Sequence, residues 1–136
     1  MEVVLREVGH IMTQPIKVAH AFSNLVREVR KQHVGKGPEH ITTRFVGPWA
    51  ICELRGNLTS VEKFAVKSEE GRRLVRELRT TFIKEIYKDE KVKSHVEQLV
   101  GASLVTLFCD FDVDLDMAVT VYVFDRALGL DSSSWL

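Results

Sequence analysis

The chain has 136 residues, 45% hydrophobic and 28% charged, which suits one globular domain with a real core. Its 19 Lys and Arg balance 19 Asp and Glu, which argues against general nucleic-acid binding through a strongly basic surface. No apolar run approaches the roughly 20 residues that span a bilayer, and the segment from Met1 to Thr13, with Glu2 and Glu7, does not read as a secretory leader. The expected location is therefore cytoplasmic, without direct membrane insertion.

Residues 1–13 stand as an N-terminal extension. Val3, Val4, Leu5, Val8, Ile11 and Met12 there fit either a short strand or an extra helical turn. Thr13 reads as a helix cap and Pro15 as a first-turn residue, where its missing N–H costs nothing. Ile16, Ala19, Phe22, Val26 and Val29 recur at helical spacing, so 14–33 is expected to be an amphipathic helix. Gly35 and Gly37-Pro38 end it.

Ile41, Thr43 and Phe45 alternate with polar neighbours, the mark of a half-buried strand. Gly47-Pro48 turns the chain, and Trp49 to Arg55 returns with Ala50, Cys52 and Leu54 on one face. Thr59-Ser60 with Glu62 opens a helical stretch that runs to Tyr87, with Gly71 marking a possible bend or break. Lys91 to Val100 is a further helix closed by Gly101. Strands follow at Leu104 to Phe111 and Met117 to Phe124. Residues 127–136, with Ser132-Ser133-Ser134, read as a flexible tail.

The order αββααββ predicts an α+β two-layer sandwich: one domain over 14–126, a four-stranded antiparallel sheet with helices on one face. A sheet covered on one side leaves its other face to water or a partner, which is a reason to expect a homodimer.

Cys52 and Cys109 both sit in apolar strand patterns and read as buried reduced thiols. Asn57-Leu58-Thr59 matches a glycosylation acceptor, which carries no chemistry without export.

Three constellations carry possible function. Asp110, Asp112, Asp114 and Asp116 alternate along an extended segment. They suit either a hard divalent cation or a self-repelling acidic hairpin that discourages edge pairing. The EF-hand pattern fails, because Val113 and Leu115 occupy its polar positions. Arg72, Arg76 and Arg79 share one helical stripe, with Arg73 beside it. Their forks suit an anion or an acidic partner surface, unless Glu69, Glu70 and Glu77 pair with them. Lys36 in Gly35-Lys36-Gly37-Pro38 is a lesser anion candidate without phosphate-loop spacing. His10, His20, His33, His40 and His95 show no metal spacing, and only His33 and His40 flank a common loop. Trp49, just after the turn, reads as an interface anchor. No catalytic residue stands out, so no cofactor is implied beyond that divalent cation.

Gly35-Lys36-Gly37-Pro38, RGNLTSVEK, EEGRRLVRELR, LVGASLVTLFCDFD and AVTVYVFDR together resemble a bacterial family of small proteins. It is named after the MpsC subunit of a sodium-translocating, membrane-potential-generating system. The likeness runs from Pro15 to Arg126. It implies an accessory or regulatory role, with a membrane-transport protein as partner in a system moving ions or inorganic carbon; the residues themselves favour a non-enzymatic protein over an enzyme of unrecognised type. It transfers no catalytic residue. The alternative from the residues themselves is a metal- or ligand-responsive sensor built on the aspartate hairpin.

Overall fold

The computed structural model describes residues 2–131, with side chains from Pro15 onward. Helix α1 (Glu2–Val34) is followed by strands β1 (His40–Val46) and β2 (Trp49–Arg55). Helices α2 (Ser60–Ala65), α3 (Glu69–Ile86) and α4 (Glu90–Val100) come next. Strands β3 (Leu104–Asp112) and β4 (Met117–Phe124) complete the sheet. The expected α+β class and element order are those observed. All strand pairs are antiparallel, in spatial order β1-β2-β4-β3.

Two boundaries differ from the sequence reading. Helix α1 begins at Glu2 and runs through Pro15 instead of starting there with Thr13 as its cap. Val4, Val8 and Ile11 already follow the helical period, and that continuity outweighs the one hydrogen bond a proline removes. The break between α2 and α3 falls at residues 66–68, not at Gly71. Ser68 sets it: its side chain accepts the Gly71 N–H at 3.0 Å and caps α3.

The segment after Arg126 is docked as far as Asp131, contrary to a flexible tail. Leu128 N–H donates to Gly47 C=O, the Asp131 carboxylate accepts the Gly47 N–H, and Leu130 is buried. Capping that tight turn gives the backbone a partner it would otherwise lack. Ser132-Ser133-Ser134 lie outside the described residues.

The helix-facing side of the sheet is built in rows. Ile41, Leu54, Ala118 and Phe111 form one, and Phe45, Ala50, Tyr122 and Leu107 another. Phe22 of α1 stands edge-on to both Phe45 and Tyr122, and Tyr87 edge-on to Tyr122. Between these rows runs a third of different character: Thr43, Cys52, Thr120 and Cys109. It crosses all four strands beneath Ser23 and Arg30 of α1, two turns apart on that helix. Ser23 and Thr43 hydroxyls lie 2.8 Å apart, and Thr43 lies 3.3 Å from Cys52 Sγ.

Cys52 is buried and Cys109 half-buried, and both are free thiols. Burial pushes the Cys52 thiol up to about 12, so it stays protonated. Asn57 of the glycosylation-like motif is only 2% exposed, with its amide donating to Leu54 C=O.

Candidate functional site

The arginine stripe and the aspartate hairpin face one another. Helix α3 runs along β3, so its first turns stand over the β3–β4 turn. Together they enclose a cleft of about 620 Å³ with Arg72, Arg76, Asp110 and Asp114 in its walls. Arg72 Nη2 lies 2.5 Å from Asp114 Oδ1, and Arg76 Nη2 3.1 Å from Asp110 Oδ1. Each candidate set thus supplies the other's counter-charge. The Phe111 N–H first, and Arg76 second, hold the Asp110 carboxyl below the usual carboxylate range.

Arg79, the third member of the stripe, leaves the cleft for the interior. Its Nε donates to Glu62 Oε2 at 2.8 Å and its Nη2 to Glu62 Oε1 at 2.6 Å. The side chains are 4% and 10% exposed. Nη2 also donates to Asn57 C=O at 2.5 Å, and the guanidinium stacks over Phe111. Glu62 meanwhile closes a capping box with Thr59 at the start of α2. Burial pushes its carboxyl up, but Arg79 and the Thr59 N–H outweigh that and leave it below its ordinary value.

The four aspartates do not converge. Asp110 and Asp114 serve the arginines. Asp112 accepts the Leu115 N–H within the turn. Asp116, at φ 47°, accepts the Asn57 and Leu58 N–H groups and ties the β3–β4 turn to the entrance of α2. Among the described residues, no three His, Cys, Asp or Glu side chains form a metal-binding group.

The lesser candidates are also engaged. Lys36 Nζ donates to Gly56 C=O and sits 3.9 Å from Glu39. Arg73 pairs with Glu70 and Glu77 on the solvent side of α3. His33 Nδ1 bonds Val29 C=O of its own helix. His10 lies among the residues whose side chains are not described.

Because both cleft ion pairs are largely exposed, they contribute little. Arg76→Glu is expected to cost less than about 1 kcal/mol despite placing like charges together. A melting temperature lowered by no more than about 4 °C checks this, and a drop beyond ~10 °C would give the pair a structural role it is not assigned here.

Trp49 is 45% exposed, at the start of β2 on the sheet face away from the helices. Its row there is Val46, Trp49, Val123 and Thr106, and the next is Arg44, Ile51, Val121 and Phe108. Apart from Arg44 and Thr106, this half of the outer face is apolar. The other half carries Glu53, Arg55, Asp110 and Asp112. The sequence reading named Trp49 but missed Phe108, which is 59% exposed. Alternation from Leu107 would have placed it outward. A second apolar surface lies on the helices, where Val61, Phe64, Leu74, Leu78 and Phe82 are all exposed.

Two comparisons bear on this arrangement. The family described as "Na+-translocating membrane potential-generating system (MpsC)" matches residues 16–126. The chain is 41% identical to the uncharacterized protein YrhF of Bacillus subtilis (strain 168) over 112 residues, covering 82% of this chain and 91% of that protein. No solved structure matches it.

Proposed function

The chain belongs to the MpsC family, and from that premise we propose that it is a non-enzymatic accessory or regulatory protein of a membrane ion or inorganic-carbon transport system. It works in the cytoplasm as a homodimer that binds a partner protein or a small anion. No helix among the described residues is long and apolar enough to cross a membrane, so its part in such a system runs through a protein partner.

The observation that carries this reading is the apolar half of the outer sheet face. An antiparallel sheet covered on one side normally turns polar side chains to water. Here two adjacent rows set Val46, Trp49, Ile51, Val121, Val123 and Phe108 side by side instead. Exposed aromatic side chains such as Trp49 and Phe108 within an apolar patch are the usual anchors of protein interfaces. The occupant of this face is a second copy, since the charged half of the same face carries both signs and can meet itself across a two-fold axis. The helical surface around Leu74, Leu78 and Phe82 then remains for the transport partner, as an apolar stripe that fits a groove.

Light scattering tests the self-association. The wild type is expected at twice the 15.5 kDa chain mass. Trp49→Glu with Ile51→Lys is expected to weaken the dimer by at least about 30-fold, as for loss of a hot spot. A monomeric wild type, or a double variant that stays dimeric with its fold intact, would sink the proposal.

A further inference from the structure

We infer that the interior of this protein holds a small monovalent inorganic anion against Arg30. The site goes beyond the docking role and does not depend on it.

Two arginines are buried among the described residues, and they are treated differently. Arg79 meets a carboxylate through the Nε and Nη2 edge of its guanidinium, the edge that grips a planar oxyanion with two parallel hydrogen bonds. Arg30 is only 2% exposed and lies among the largest fully buried side chains. On the same edge, its Nη2 has Thr120 Oγ1 at 3.5 Å, and its Nε has no partner at all among the described residues.

A guanidinium does not shed its proton, so the charge stays. Burying an ion without a counter-charge is strongly unfavourable. No described group supplies one. Glu62 is the only buried carboxylate among the described residues, and Arg79 takes it. The groups around Arg30 are Cys52, Tyr87, Tyr122 and Thr120. Burial pushes both tyrosine hydroxyls and the Cys52 thiol up, so all remain neutral at physiological pH.

Hydrogen-bond supply points the same way. Tyr122 Oη and Tyr87 Oη lie 2.7 Å apart, and in such a pair one hydroxyl hydrogen is left over whichever group donates. Thr120 passes its own hydrogen toward Cys109 Sγ. Arg30 also donates to the Tyr87 hydroxyl oxygen, but that acceptor is neutral and leaves Nε unpaired, so the region keeps more donors than acceptors and one net positive charge. A ligand of charge −1 that mainly accepts hydrogen bonds balances both. The near-complete burial of Arg30 excludes a partner's side chain and any bulky anion, which leaves a halide or a small planar oxyanion such as nitrate or bicarbonate.

The test is thermal unfolding of the full chain in sodium gluconate, whose anion is too large for the site. Gluconate is replaced stepwise by chloride, nitrate or bicarbonate at constant ionic strength. The expected result is a melting temperature that rises with the logarithm of the small anion's concentration once it exceeds the dissociation constant. The rise is expected to vanish in Arg30→Met and to persist in Arg76→Glu. Equal melting temperatures in gluconate and in all three small anions would overturn the inference in favour of a buried water. An undiminished rise in Arg30→Met would overturn it in favour of a general salt effect. If Arg30→Met does not fold, a bromide-soaked wild-type crystal decides. An anomalous peak beside Arg30 Nε supports the site, and bromide found only at the surface overturns it.

Discussion

Replacing Arg79 with methionine is expected to lower the unfolding free energy by about 3–5 kcal/mol at pH 7, because it strands the Glu62 carboxylate in a site it cannot leave. Glu62 is held there by its bond to the Thr59 N–H at 2.9 Å and by its place in the first turn of α2. The Asn57 carbonyl loses its donor at the same stroke. For a chain of this size, the drop corresponds to roughly 10–20 °C in melting temperature.

The loss is expected to shrink as pH falls. In the wild type the folded Glu62 carboxyl sits below its unfolded value, so its contribution is present above the unfolded pKa and disappears as pH falls through the folded one. In the variant, desolvation without Arg79 raises the carboxyl instead, so acid relieves the penalty. The two melting curves should therefore converge between neutral pH and about pH 4. Adding Glu62→Gln should restore part of the stability at neutral pH, because the amide needs no counter-charge and its oxygen still closes the capping box. An Arg79→Met protein as stable as the wild type at pH 7 would remove the pair from the core's essential contacts.

The second large effect is expected at Gly71. Gly→Ala in an exposed helix ordinarily stabilises by a few tenths to 1 kcal/mol. Here the added Cβ would lie 1.8 Å from the Ala65 carbonyl oxygen and 2.7 Å from its carbon. These are backbone atoms at the end of α2, and no rotamer change moves them. The whole α2–α3 connection must shift, which strains the Thr59 cap and the Glu62–Arg79 pair together. A loss of at least about 2–3 kcal/mol is expected. Gly47 makes the control: its φ is +54° and nothing lies within 4 Å of an added Cβ, so alanine there should cost only about 1 kcal/mol. Urea unfolding of both variants checks the order, and a Gly71→Ala protein no weaker than Gly47→Ala would contradict this account of the junction.

Gly71 also shows how far the sequence could be read. A glycine within a helical pattern signals a break, and a break occurs, but the glycine is there to let another segment pass close by. The signal that placed the break was Ser68 with its cap, hidden among Lys67, Glu69 and Glu70. Strands were legible because alternation in β1, β2 and β4 maps directly onto buried and outward rows. The candidate site was half legible. Side-chain type and helical spacing identified both the arginines and the aspartates, yet their reciprocity depends on α3 lying along β3, a long-range contact that no local pattern encodes. Arg30 was invisible for a related reason. A charged residue on an amphipathic helix reads as solvent-facing, and only the polar row of Thr43, Cys52 and Thr120 beneath it reveals otherwise.

The strand order β1-β2-β4-β3 has a consequence for how the molecule assembles. The helix–hairpin units α1–β1–β2 and α4–β3–β4 each contain partners that are neighbours along the chain, such as Val46 and Trp49. The two units meet along the β2–β4 seam, where Cys52 finds Thr120 across the full length of α2, α3 and α4. Loop closure of that length is slow compared with hairpin formation, so contact-order reasoning places the joining of two preformed halves last and makes it rate-setting. The middle of the chain is then less a connector than a timer, and the interior row that surrounds Arg30 comes into being only at the final step.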